Sequence, residues 1–268
     1  MKKTYVITGA TSGIGNALMK MLSKDNIVFA GYRKESCVEE LEQYENVIPF
    51  YIDMERIVSI SQAAAFIKSK TQKIDTLINV AGCVIAGVME SIPVYRVRKQ
   101  FEVNTFSHLD FTQKLMPLLK GGKVINISSM ASFGIFPFIA PYCASKRALD
   151  ILFNAMSLES GLKVISIKPG VIATPLWSKA VELNKSMISQ CKGHEKEMEY
   201  MMSNARRNGH RGLSAIKVAE KIIEIENEKN PQDSYTIGFD AYMAECFSKL
   251  PFDWQNSIVK LGMKLRIK

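Results

Sequence analysis

Short apolar runs alternate with amphipathic stretches from the first residues onward. Tyr5-Val6-Ile7 is a compact apolar run of the kind that forms a buried strand. Ile14, Ala17, Leu18, Met21 and Leu22 then recur at helical spacing. The rhythm continues, with strands predicted at Ile27–Ala30, Val47–Ile52, Thr76–Val80, Lys123–Ile127 and Val164–Ile167. Helices are predicted over Ile57–Lys70, Val94–Leu119, which Gly121-Gly122 terminates, and Pro141–Glu159. This alternation predicts an α/β protein: a doubly wound parallel sheet with helices on both faces. No internal repeat, low-complexity segment or linker divides the chain, so residues 1–268 are read as one domain. After Thr174 the pattern changes to a helix-rich stretch with Met187, Met198, Met201 and Met202. Residues 175–212 are therefore assigned as an insertion that would form a substrate lid, and 240–268 as a C-terminal segment.

Composition narrows the class. Apolar residues make up 47% of the chain and charged residues 23%, ordinary for a globular enzyme. Apolar stretches such as Gly134–Pro141 are far shorter than the roughly 20 residues a bilayer span needs. Met1-Lys2-Lys3 leads into polar, glycine-rich sequence rather than an apolar signal core, and the expected location is cytoplasmic. Five scattered cysteines fit reduced thiols, and His108, His194 and His210 are too dispersed to hold a metal. A net charge of +9 is spread over small clusters, including Arg96–Lys99, without a nucleic-acid motif. Most of that charge is read as solvated surface, with a part reserved for an anionic cofactor.

Gly9, Gly13 and Gly15 fall between the first strand and the first helix. Glycines there permit the tight turn, let backbone approach a pyrophosphate, and seat the helix closely on the sheet. The helix N-terminus then offers free N–H groups and the positive end of its dipole. No Lys-Ser/Thr pair follows at the spacing of a phosphate-binding P-loop, which excludes that site. The strand-to-helix context favours a dinucleotide over a structural turn without a ligand, with Thr11, Ser12 and Ile14 completing the loop. At the end of the second strand, where an acidic residue usually holds the ribose 2′-hydroxyl, the chain reads Gly31-Tyr32-Arg33-Lys34. Arg33 fits a 2′-phosphate, favouring NADP(H), although an exposed arginine is the plainer alternative. Asp53, followed by Met54, could accept a hydrogen bond from the adenine amino group or cap the next helix.

Tyr142 and Lys146 stand four residues apart on one predicted helix face. A free phenol titrates near ~10, and a neighbouring ammonium would lower that value and make Tyr142 a usable acid/base. With this pair in place the chain resembles a single-domain short-chain dehydrogenase/reductase over essentially its whole length. The resemblance rests on Thr8-Gly9-xxx-Gly13-x-Gly15, Asp53, Asn79-Val80-Ala81-Gly82, Asn104, Ser128-Ser129, Tyr142-xxx-Lys146 and Pro169-Gly170 with Thr174. It implies a Rossmann fold, with Asn104, Ser129, Tyr142 and Lys146 as the catalytic set. Ser129 would bond the substrate oxygen, with Ser128 the runner-up. Tyr142 would be the acid/base, Lys146 would also hold the nicotinamide ribose, and Asn104 would position a relay water. Asn79 would tie strands together beside the cofactor, with Ala81 and Gly82 lining it. Pro169, Gly170, backbone at Ile172 and the Thr174 hydroxyl would meet the carboxamide end.

Three positions depart from the family pattern: Val80 replaces the second asparagine, Ser12 stands where many NADP-preferring members carry a basic residue, and Lys168 precedes Pro169. Phe133, Ile135, Phe136, Phe138, Leu176, Trp177 and the methionines between 187 and 202 form an apolar set expected to line a hydrophobic substrate. Pro141-Tyr142-Cys143, Thr236 to Ala241 and the tail from Leu250 resemble the hydroxysteroid and retinol dehydrogenase branch, which implies a lipophilic secondary alcohol or ketone. A silent NADP(H) sensor, a β-ketoacyl thioester reductase, and an epimerase or dehydratase remain alternatives. The family likeness also implies a homodimer or homotetramer through the two long helices bearing Asn104 and Tyr142. The basic amphipathic tail from Trp254 to Lys268 would pack over the cleft or a partner subunit, or touch an anionic membrane.

Overall fold

A computed structural model of the protein describes residues 2–266, with Leu265 and Arg266 by backbone alone. Its first half runs β1 (Thr4–Ile7), α1 (Gly13–Leu22), β2 (Ile27–Tyr32), α2 (Val38–Glu42), β3 (Val47–Tyr51), α3 (Ile57–Lys70), β4 (Thr76–Asn79), α4 (Val94–Phe101), α5 (Ser107–Leu115) and β5 (Lys123–Ile127). It continues through α6 (Ala140–Ser160), β6 (Lys163–Pro169), β7 (Ile172–Ala173), α7 (Leu176–Asn184), α8 (Met187–Gln190), α9 (Glu195–Arg211) and β8 (Leu213–Ser214). The last elements are α10 (Ala215–Asn227), β9 (Ser234–Ile237), α11 (Phe239–Ser248) and α12 (Phe252–Arg266).

The main sheet has the order β3-β2-β1-β4-β5-β6-β9, and its neighbouring pairs are parallel. This is the α/β doubly wound Rossmann architecture that the sequence predicts. Strands buried on both faces read as continuous apolar runs because each side chain meets a helix layer. Tyr5 and Ile7 face one layer with Leu18, Met19, Val218 and Ile222. Val6 faces the other, with Ile60, Ile67, Phe111, Leu149 and Phe153. Strand order reverses between β1 and β4, so the loops beyond their C-terminal ends splay apart and open a crevice there.

Three differences from the sequence reading have local causes. The long helix predicted over Val94–Leu119 is α4 and α5 joined by a π turn at Glu102–Phe106, and Pro117 sits in a closing 3₁₀ turn at Met116–Leu118. A π turn keeps the helical hydrophobic period nearly intact, so periodicity passes over it. Strand β9 has no clear sequence signal because it is a short, partly exposed edge strand beside β6. Within 175–212 the chain forms α7, α8 and α9, and the tiny sheet β7-β8 ties the base of this excursion together. Of the basic tail, Ile267 and Lys268 lie outside the described residues.

Phe153 is fully buried where α6 meets the sheet. Phe153→Ala should lower the unfolding free energy by about 3–5 kcal/mol through lost transfer energy and a residual cavity, read from the urea midpoint.

Candidate active site

The crevice at the strand-order reversal is a cleft of about 410 Å³. Its floor is the glycine loop. Gly9 adopts φ +65, and a Cβ there would lie 3.1 Å from the Ala81 backbone. A Cβ on Gly15 would approach the Gly9 carbonyl to 2.3 Å, so only glycine lets α1 start this close to the turn. Ser12 occupies the N-cap of α1 in extended backbone, and its side chain does not cap the helix. The loop is thus a backbone cradle at a helix N-terminus, and its donor set and shape fit the pyrophosphate of a dinucleotide. Thr8 fixes the opposite wall: its Oγ1 accepts hydrogen bonds from Val80 N at 2.9 Å and Ala81 N at 3.1 Å.

Tyr142 and Lys146 both line the cleft from α6. Lys146 is 4% exposed, and its Nζ donates to the Ile127 carbonyl at 2.7 Å. Burial draws its pKa down to about 8, against the opposing charge of Asp150 one turn later. Burial pushes the Tyr142 phenol up to about 12, opposed by hydrogen bonding with Ser129. The sequence argument has Lys146 lowering the Tyr142 pKa; in the structure desolvation raises it, and the group that opposes the rise is Ser129 rather than Lys146. At neutral pH the phenol is therefore a proton donor beside a mostly protonated lysine. Ser129 follows β5 and accepts a hydrogen bond from Ala131 N at 3.1 Å. The Ser128 hydroxyl is buried without a hydrogen-bond partner among the described residues.

Asn104 sits in the π turn and brackets one residue of the opposite wall. Its Nδ2 donates to the Cys83 carbonyl at 3.1 Å, and its Oδ1 accepts from Cys83 N at 2.9 Å. A Cβ on Gly82 would lie 3.3 Å from Asn104 Oδ1 and 3.8 Å from Lys146 Nζ, so the three residues meet at one point. His108 supports the same wall from behind, with Nε2 2.8 Å from the Ala81 carbonyl. Burial, then the Lys146 charge, lower its pKa to about 3, so the ring is neutral.

Gly9, Thr11, Ser12, Gly13, Ile14, Arg33, Met54, Ala81, Gly82, Ser129, Tyr142, Lys146, Pro169, Gly170, Ile172 and Thr174 all face the cleft. Gly15, Asp53, Asn79 and Asn104 do not line it, and each has a physical reason. Gly15 is packed on Gly9, and Asn104 is committed to Cys83. Asn79 donates to Asn126 Oδ1 at 2.9 Å, tying β4 to β5. Asp53 turns its carboxylate to Glu55 N at 3.0 Å, while Arg56 takes the helix N-cap position.

The apolar end of the cleft includes Val84, Phe136, Ile139, Leu176, Trp177 and Leu183. Met187, Met198 and Met202 instead pack with Ile85 and Ile92 in a separate core that also receives Phe138, so they are support rather than lining. Sequence reasoning also missed Glu55, Lys99 and Lys179 on the cleft wall. Lys99 pairs with Glu55 at 2.9 Å. Its neighbour Arg96, read as solvated surface, is buried and donates to Leu183 O at 2.8 Å and Asn184 Oδ1 at 2.9 Å. Lys168, unexplained in the sequence, pairs with Asp150 at 3.6 Å and lies 5.0 Å from the Phe133 ring centroid. Among the described residues no group of three His, Cys, Asp or Glu could hold a metal, and no helix is long and apolar enough to cross a membrane.

Comparison with known proteins agrees with this fold. A family model described as short chain dehydrogenase matches residues 3–185. An uncharacterized oxidoreductase of Bacillus subtilis (strain 168) is 28% identical over 97% of this chain and 98% of its own. An NADPH-dependent 3-dehydrocapnine reductase of Ornithobacterium rhinotracheale is 35% identical over 65% of this chain and 67% of its own. Among solved structures, a short chain dehydrogenase of Burkholderia cenocepacia J2315 in complex with NADP superposes with a TM-score of 0.75 at 22% identity, covering 96% of this chain and 97% of that one.

The Asn104 bracket should contribute measurably to the fold. Asn104→Ala leaves the backbone N–H of half-buried Cys83 without this partner, while its carbonyl keeps Gln100 Nε2 at 2.8 Å, and thermal or urea unfolding should show a loss of about 1–3 kcal/mol.

Proposed function

The chain belongs to the short-chain dehydrogenase family, and we propose that it is an NADP(H)-dependent oxidoreductase that interconverts a lipophilic ketone and its secondary alcohol. The observation that carries this reading is the meeting of Tyr142, Ser129 and Lys146 on a cleft that is apolar at one end and cationic at the other. When bound, the nicotinamide supplies a hydride to the carbonyl carbon. Ser129 orients the carbonyl oxygen by hydrogen bonding, and Tyr142 donates its phenolic proton to that oxygen. The Lys146 ammonium stabilises the phenolate left behind, and the Ile127 carbonyl and the Asn104-held wall keep that ammonium in place. The glycine loop would hold the pyrophosphate; Gly170, Ile172 and Thr174 would hold the carboxamide end.

NADP(H) over NAD(H) is supported by Arg33, which lines the cleft directly after β2, at the chain position where dinucleotide sites usually carry an acidic residue. The NADPH-dependent relative points the same way. Phe136, Ile139, Leu176 and Leu183 give the substrate end few polar handles, which favours a bulky apolar ketone over a sugar or a charged acid.

We also propose a homo-oligomer. Tyr95, Phe106, Ile151 and Leu158 are exposed apolar residues on the α4–α6 layer, more than solvent-facing helices need. Light scattering should return a multiple of 30.0 kDa, and Ile151→Lys should shift it toward the single-chain mass.

The reaction is tested by following NADPH oxidation, with NADH in parallel, against steroid, retinoid, long-chain aliphatic and β-ketoacyl carbonyls. Tyr142→Phe should lose about 10²–10⁴-fold in kcat while retaining NADPH binding. Reduction needs Lys146 charged and Tyr142 protonated; the lysine titrates first as pH rises, so reductive kcat/KM should fall above about pH 8. Tight NADPH binding without turnover across the panel would replace this reading with a cofactor sensor.

A further inference from the structure

We propose that Lys179, on the lid helix α7, is a specificity-determining residue that recognises the 2′-phosphate of NADP(H) together with Arg33; this rests on the NADP(H) reading above. Ser12 offers no charge to a phosphate. Lys179 reaches across from α7 and sets its Nζ 3.2 Å from Ser12 Oγ, so a cation from a distant part of the chain stands at the glycine loop. Both Lys179 and Arg33 line the cleft.

The local electrostatics ask for an anion. Partial desolvation, then the charges of Arg33 and Lys34, lower the Lys179 pKa, which puts the three cations within electrostatic reach of one another. Among the described residues no carboxylate lies within ion-pair distance of Lys179 or Lys34, and Arg33 has only Glu55 at 3.5 Å. A dianionic phosphate between them would relieve the like-charge repulsion and gain charge-assisted hydrogen bonds.

The same helix reaches the substrate end. Its approach is fixed at Thr174, whose Cγ2 would be 3.0 Å from a Cβ on Gly13. Its far end is fixed by Asn184, which donates to Val84 O at 2.8 Å and accepts from Ala86 N at 2.8 Å. Between these anchors Leu176, Ala180 and Leu183 line the apolar end of the cleft while Lys179 faces the loop. Phosphate recognition through Lys179 therefore also holds the substrate wall in register.

The test is binding, by calorimetry and by Trp177 fluorescence, of NADPH, NADH and the fragment 2′,5′-ADP to wild type, Lys179→Ala, Lys179→Arg and Arg33→Ala. Lys179→Ala should weaken NADPH and 2′,5′-ADP about 10- to 100-fold, the range for one hydrogen bond to a charged group. NADH affinity should stay unchanged, which also reports that the variant folds, and Lys179→Arg should restore most of the loss. If Lys179→Ala leaves the NADPH-to-NADH ratio at the wild-type value while Arg33→Ala collapses it, Lys179 has no part in discrimination and the cofactor reading stands. If wild type itself binds NADPH and NADH equally, the cofactor reading fails and this inference with it.

Discussion

Lys146 carries an ammonium into an interior that water scarcely reaches, and much of the cleft is built to keep it there. An isolated buried cation is expensive, and a lysine in that position tends to lose its proton unless something opposes the loss. Here the Ile127 carbonyl accepts from it at the end of β5, and Asp150 supplies an opposing charge from the same helix. The wall facing it is backbone rather than side chain: Gly82 passes where a Cβ would crowd Asn104 and come into contact with Lys146. Remove that cation and Tyr142 would have no charged neighbour to receive the phenolate it forms.

The parts that hold this arrangement are spread over the molecule. Asn104 reaches Cys83 only because a π turn reorients one turn of an otherwise regular helix. Such turns cost helical hydrogen-bond geometry and are often found at functional sites. Thr8 holds the other end of the same wall by accepting from two consecutive backbone N–H groups. The wall between β4 and α4 is thus clamped from β1 on one side and from the π turn on the other. Precise placement by rigid elements is what lets so few polar groups suffice in a largely apolar cleft.

The 175–212 excursion is organised by the same economy of charge. Arg96 is buried under it, hydrogen-bonded to the Leu183 carbonyl and to Asn184. A methionine-rich core beneath α8 and α9 supplies apolar packing that tolerates irregular shape. These residues set where α7 lies, and α7 in turn presents one face to the glycine loop and another to the substrate end.

The fold class was fully legible in the chain, because strands buried on both faces must read as apolar runs and the helices between them must be amphipathic. The glycine loop was equally legible, since a close backbone approach between a strand and a helix leaves no alternative to glycine at Gly9 and Gly15. Tyr142 and Lys146 could be paired because helical spacing alone brings them to one face. What sequence could not decide depends on distance in the chain or on burial. The Tyr142 pKa rises rather than falls because desolvation, which no local pattern reports, outweighs the hydrogen bond with Ser129. Asp53, Asn79 and Asn104 carry recognisable positions, yet their side chains turn to Glu55, Asn126 and Cys83. Lys179 lies far from Ser12 in sequence and reaches it only because β6 and α7 return the chain to the glycine loop. Local spacing fixes what an element is; only the packed fold fixes which charges meet and how much water they keep.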